Sequence, residues 1–173
     1  MGLEHGDNVG RPFDVSADGT RLYQSVDGMI GFKVADVEQR EVIREVHFPE
    51  AESQYHQGVS SSRTHGTALR PDQKEVWTSY MMGGRVAVYE AESGNYDLLD
   101  IIQMPGENPD IYWINHSPDS RYAYVALLRE QKMAVMDAET KEIITLLDTG
   151  VGPKRMMHIS VPLDDGVSSS EPE

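Results

Sequence analysis

Runs of alternating apolar and polar residues, each about six long and closed by turn-forming residues, follow one another through most of the chain. Arg21 to Val26 (RLYQSV), Glu75 to Tyr80 (EVWTSY) and Arg121 to Leu127 (RYAYVAL) are rich in β-branched, aromatic and aliphatic side chains, which fit a pleated, half-buried surface. A tight turn built on aspartate precedes each of them, at Asp18, Asp72 and Asp119. No stretch carries apolar residues at helical spacing over the length a helix needs, so the pattern predicts an all-β chain.

Aligned on these aspartates, SADGTRLY (16–23), RPDQKEVW (70–77) and SPDSRYAY (117–124) are copies of one unit. A second marker follows each: FKVADVEQREV from Phe32, VAVYEAESGNY from Val86 and MAVMDAETKEI from Met133, anchored at Asp36, Glu90 and Asp137. The two markers stand 18 residues apart in every unit, and both give the same offsets between units, 54 and then 47 residues. Two markers in agreement identify a repeat. The polar stretch Ser53 to Ser62 (SQYHQGVSSS) reads as an inserted loop and accounts for the longer first offset.

Each unit contains four predicted strands. An opening strand (Phe13 to Val15, Gly66 to Leu69, Ile111 to Asn115) leads into the aspartate turn and the strand after it. A third strand (Phe32 to Ala35, Val86 to Tyr89, Met133 to Met136) and a fourth (Glu41 to Val46, Tyr96 to Ile102, Ile143 to Leu147) complete the unit. Pro71 and Pro118 precede the aspartate, where a fixed φ suits the first central position of a type I turn. A four-stranded antiparallel meander of about 45 residues is the size of one propeller blade. The predicted architecture is therefore a β-propeller of about three and a half blades. Residues 1–163 form the partial propeller, with blades at roughly 11–52, 63–105 and 108–150 and the opening strand of a fourth, Met156 to Val161, within 151–163. Residues 164–173 are predicted to be a disordered acidic tail.

Composition narrows the partners. The chain has 173 residues, 39% of them hydrophobic, enough for a real core, and a formal net charge of −14 that argues against nucleic acid or an anionic membrane surface as partner. It has no cysteine, which excludes disulfides, thiolate metal sites and a cysteine nucleophile but leaves the compartment open. The start MGLEHGDNVGRP lacks the basic and apolar regions of a signal peptide, and no apolar run is long enough to cross a membrane, so no membrane insertion is expected. Patterns for a nucleophile elbow, a phosphate loop, a zinc protease, a dinucleotide fold or a calcium loop are missing.

PDQKEVWTSY with RVAVYEAESG, and SPDSRYAYVA with KMAVMDAETKEI, resemble the repeats of YVTN-type β-propellers. His65 with Gly66 before the turn, Pro109 and Asp110 followed by Trp113, and GVGPKR at 150–155 sharpen the resemblance, which covers nearly the whole chain. It implies a place in a seven-bladed propeller, often secreted or periplasmic, related in fold to lactonases and to haem-carrying nitrite reductase domains. A closed ring ordinarily needs at least four blades, so the expected partners are the missing blades of a longer product or a second copy of the chain. Such repeats mostly build scaffold. The expected function is a non-catalytic module binding a small molecule or protein at the channel mouth or upper loops, with no cofactor; the alternative is part of a lactonase-like hydrolase or a haem d1-type cofactor holder.

Candidate ligand-binding residues follow from the repeat. His65 and His158 stand seven residues before Asp72 and Asp165, where the other units carry Arg11 and Tyr112. These positions open the inner strands, which line a propeller's channel, so the four side chains can converge at one mouth; strand capping is the structural alternative, and two histidines alone make no metal site. Asp110 has no counterpart in the other units and stands near Trp113, pairing a carboxylate with an aromatic wall or simply sitting in a loop. Lys154 and Arg155 are placed where the mouth should lie, able to hold an anion or to offset nearby carboxylates. Arg63 belongs to the same group. His116 reads as a turn or edge residue, and the recurring aspartates as turn formers. No catalytic or metal-binding residue is assigned, and the nine methionines read as core filler.

Overall fold

The computed structural model describes residues 10–49, 64–81, 83–107 and 109–157. The inserted loop Ser53 to Ser62, Arg63, His158, the last four residues of the proposed opening strand of a fourth unit and the acidic tail lie outside them. Twelve strands occur among the described residues: β1 Gly10–Val15, β2 Arg21–Val26, β3 Gly31–Asp36, β4 Glu41–His47, β5 Thr67–Leu69, β6 Glu75–Tyr80, β7 Arg85–Glu90, β8 Leu98–Gln103, β9 Ile111–His116, β10 Tyr122–Leu127, β11 Lys132–Asp137 and β12 Ile143–Asp148. They make three antiparallel meanders, β1–β4, β5–β8 and β9–β12, each in sequence order. These are three propeller blades, and β1 adjoins β5 and β5 adjoins β9 through their inner strands.

The aspartate turns form as the sequence requires. Gly19, Gln73 and Ser120 return their N–H groups to the carbonyls of Ser16, Arg70 and Ser117, and all three take positive φ. Asp18, Asp72 and Asp119 each accept a backbone N–H two residues on, from Thr20, Lys74 and Arg121. The Ser16 hydroxyl and the Thr20 N–H hold the Asp18 carboxyl down to about 2. Asp36, Glu90 and Asp137 do the same work in the second hairpin, accepting N–H groups from Gln39, Ser93 and Thr140.

Adjacent blades share apolar cores. Between the first two blades, Tyr23, Phe32, Val34 and Phe48 pack on Leu69, Val76, Tyr80 and Tyr89; between the second and third, Trp77, Val86 and Val88 pack on Ile111, Val125, Leu127 and Met136. A recurring contact closes each seam. Arg40, Tyr96 and Lys141 all take positive φ within two positions of the start of their blade's outer-strand pairing. Tyr96 meets Tyr23 of the preceding blade edge-on at 6.1 Å, and Lys141 Nζ lies 5.1 Å from the Trp77 ring centre of its preceding blade. By register, Tyr124 is the third blade's counterpart of Tyr23 and Trp77. Among the described residues no fourth blade covers it.

The outer strands repeat a second device. Ile43, Leu99 and Ile144 are each the extra residue of a bulge, at the same register in β4, β8 and β12. A bulge bends the strand and interrupts regular pairing, which blunts an edge that would otherwise recruit another strand.

One residue in the upper turns tolerates no side chain. Gly31 has φ +138°, and a Cβ there would collide with the Val46 carbonyl oxygen of the paired strand. Its N–H donates to Thr64 Oγ1 at 2.9 Å, tying the first blade to the second. Gly31→Ala is expected to cost about 2–3 kcal/mol in urea unfolding, with a lower midpoint and an unchanged slope.

His116 corrects the sequence reading. It ends β9 with 1% of its surface exposed and meets Trp77 edge-on at 5.2 Å. It is a core residue because the inner strand of the third blade lies against the second blade, which a turn signal at Ser117 and Pro118 does not reveal.

Candidate functional site

In a meander of this order the inner strands all begin at the same end, here called the upper end. Arg11 lies at the start of β1, His65 just before β5, Tyr112 at the start of β9, and Lys154 and Arg155 beyond β12. The fold brings these five together.

The His65 ring stacks on the Tyr112 ring with centroids 4.4 Å apart and 37° between planes, and Trp113 lies 6.1 Å away. Lys154 Nζ lies 5.4 Å from the centre of the Tyr112 ring, a cation held on an aromatic face. His65 Nδ1 is 3.1 Å from the Tyr112 carbonyl oxygen. A carbonyl can only accept, so Nδ1 carries the hydrogen and Nε2 is the basic nitrogen of the neutral ring. Burial lowers the His65 pKa below the ordinary value, against the opposing pull of the Tyr112 carbonyl, and the positive charges of Arg11 and Arg155 lower it further.

Arg11 forms a two-bonded ion pair with Asp27, both contacts 2.7 Å, and the Asp27 side chain is only 5% exposed. This pair fixes the guanidinium at the mouth. Lys154 and Arg155 are exposed and form no ion pair among the described residues. The close approach of the inner strands is set by Gly66, where a Cβ would lie 3.0 Å from Ile114 N and 3.2 Å from Trp113 Cα.

The other sequence candidates divide. Trp113 is half-buried beside His65. Asp110 is 7% exposed with φ 42°, its carboxylate accepts from Arg129 Nε, and its carbonyl accepts from Leu128 N–H. The structure therefore places it in the upper turn of the third blade, holding the entry to β9. His158 lies outside the described residues.

Sequence reasoning missed Asp27, since nothing local marks it as the partner of Arg11. It also missed the polar contact between the second and third blades at the lower end. There Glu75 accepts from Lys141 Nζ at 2.6 and 2.7 Å and from Trp77 Nε1 at 2.9 Å, and pairs with Arg70 at 3.2 Å. A cavity of about 300 Å³ beside it is lined by Arg70, Asp72, Asp119, Arg121, Asp137 and Glu139. Among the described residues no three or more histidine, aspartate or glutamate side chains are grouped to hold a metal ion. No helix among them is long and apolar enough to cross a membrane.

No family model and no curated protein sequence matches the chain. Solved structures do. Hydrazine synthase of Kuenenia stuttgartiensis is 20% identical, with a TM-score of 0.66 over 89% of this chain and 39% of that one. A putative 6-phosphogluconolactonase from Bacteroides uniformis is 13% identical, with a TM-score of 0.65 over 86% of this chain and 43% of that one. The WD40 repeats of RRP9 are 13% identical, with a TM-score of 0.63 over 85% of this chain and 40% of that one. The chain thus spans about two-fifths of the length of the structures it matches. At these identities the likeness establishes the β-propeller fold alone.

Proposed function

We propose that this chain is a non-catalytic propeller repeat module of the YVTN type that binds a small molecule or a protein at the upper mouth of its inner strands. The observation that carries the reading is a local reversal of charge. In a chain of net charge −14, Arg11, Lys154 and Arg155 gather around stacked His65 and Tyr112, with Asp27 as the only carboxylate paired to the group among the described residues. An aromatic wall with a few convergent polar groups is a common feature of ligand sites. In this reading His65, Trp113, Lys154 and Arg155 contact the ligand, His158 joins them, and Asp110 acts by holding Arg129 and the entry to β9.

The ring is completed by further blades or by a second copy. Tyr124 waits on the open face of the third blade for the residue that Tyr96 and Lys141 supply at the inner seams, and Arg40 of the first blade occupies that same repeat position. A periplasmic or secreted setting rests on the repeat resemblance.

The test is a thermal-shift panel of small metabolites run on the unmodified chain and on the Lys154→Gln/Arg155→Gln variant. Both side chains are exposed, so the free variant should melt within about 2 °C of the parent. Compounds that stabilise the parent should fail to stabilise the variant. Stabilisation that survives the double substitution would place binding elsewhere and sink the proposal.

A further inference from the structure

We propose that the channel mouth binds a small oxyanion, of the sulfate, phosphate or carboxylate kind, and that binding takes up a proton on the His65 imidazole; this rests on the mouth being the binding end. The charge count favours an anion. Arg11 spends Nε and Nη2 on Asp27, while Lys154 and Arg155 form no ion pair among the described residues, so the cluster carries a net positive charge before any ligand arrives. A cation cluster at a partly buried surface attracts anions more strongly than the same charges spread in water.

The proton follows from the geometry of His65. Its Nδ1–H is committed to the Tyr112 carbonyl, so Nε2 is the position for a second proton. The groups that face the ring are Arg11 from β1, Tyr112 and Trp113 from β9, and Arg155 beyond β12; Ser79 of β6 accepts the His65 backbone N–H through its hydroxyl. Burial, the Arg11 charge and the Arg155 charge all favour the neutral ring in the free protein. An oxyanion held by those same cations reverses the field at His65, which favours the imidazolium, and the protonated ring adds a charge-assisted donor to the site. Among the described residues gathered at the mouth, His65 is the one imidazole, and the proton is assigned to it.

The sign is fixed by this linkage. A ligand that raises the pKa of a group binds more tightly as pH falls through the pKa of the complex, and the gain levels off below the pKa of the free protein. Affinity for sulfate should therefore increase on acidification. Sulfate is the appropriate probe because its own charge does not change as the imidazole titrates.

Isothermal titration calorimetry with sodium sulfate at low ionic strength, in two buffers of different ionisation enthalpy, measures affinity and proton uptake together. Sulfate is expected to bind about tenfold more tightly near pH 5.5 than near pH 8, with uptake of up to about one proton. His65→Gln should lose the pH dependence, binding sulfate with about the same affinity near pH 5.5 as near pH 8. In the unmodified protein, saturating sulfate should move the NMR titration of the His65 ring to higher pH, a readout that needs no variant. A pH-independent affinity, or a dependence that survives His65→Gln, would overturn the proton coupling. If sulfate does not bind while an uncharged compound of the panel stabilises the protein through Lys154 and Arg155, the oxyanion assignment falls and the mouth remains the site. If nothing binds there, both fall.

Discussion

Glu75→Leu is expected to destabilise the protein by about 3–5 kcal/mol. The carboxylate is the centre of a buried group: Lys141 from the third blade reaches both oxygens, Trp77 Nε1 donates to one, and Arg70 pairs with it, all with little exposure. Leucine fills the volume but leaves the Lys141 ammonium without its ion-pair partner and the Trp77 indole N–H without an acceptor, while Arg70 keeps Asp72 and Glu139; an unpaired buried charge costs more than the intact pair contributes. The parent should also be acid-sensitive for the same reason. Burial pushes the Glu75 carboxyl up, but the bonds from Lys141 and Trp77 and the charges of Lys141 and Arg70 more than reverse this, leaving its pKa below the ordinary value. A carboxyl with a lowered folded pKa adds stability that is fully present above the ordinary glutamate range and is lost as pH falls through the folded pKa. Asp18 and Asp119 act in the same direction from their turns. Urea unfolding at a series of pH values should show parent stability falling below about pH 4.5, with Glu75→Leu less stable at neutral pH and less steep in that fall. An unchanged unfolding midpoint in Glu75→Leu would mean that the blade seam does not depend on this group.

Phe32→Ala is expected to cost a similar amount, about 3–5 kcal/mol, through packing alone. Phe32 is fully buried between the first two blades and meets Tyr89 at 5.5 Å, Tyr96 at 5.9 Å and Tyr23 at 6.4 Å. Alanine would leave a cavity walled by three tyrosine rings that are themselves pinned by neighbouring strands, so little collapse can offset it. The loss should be independent of pH, which separates it from the Glu75 effect. Val42→Ala, at an exposed position on the outer strand, serves as the control and should change stability by less than about 0.5 kcal/mol. A Phe32→Ala loss no larger than that of Val42→Ala would contradict the face-to-face packing of these blades.

The blades were legible in the sequence because the repeat supplied what single segments cannot. The strand that follows each aspartate turn alternates only loosely, yet Arg21 to Val26 and Glu75 to Tyr80 coincide with β2 and β6 because the fixed spacing of the markers set their register. The turns were legible for a local reason: Asp18, Asp72 and Asp119 bond backbone groups two residues away, an interaction written entirely within a short segment. What was not legible depends on contacts between blades. Glu75 stands at a strand start where an exposed charge is ordinary, and its partner Lys141 is 66 residues away. The core position of His116 is fixed by Trp77, a residue of another blade.

The mouth shows the same division. Counting back from the repeat aspartates placed Arg11, His65 and Tyr112 at equivalent positions, and the fold does gather them. Lys154 was legible as a basic residue near the mouth, but its seat on the Tyr112 ring depends on the path of the chain beyond β12. Asp27 and the Asp110–Arg129 pair depend on turn geometry that no spacing encodes.

The most direct measurement is a residue-resolved NMR titration of the unmodified chain with sulfate. The account predicts saturable shifts confined to the upper end, at Arg11, His65, Tyr112, Lys154 and Arg155. Shifts centred on Arg70, Asp72 and Arg121 around the lower cavity, or shifts spread over the surface without saturation, would contradict it.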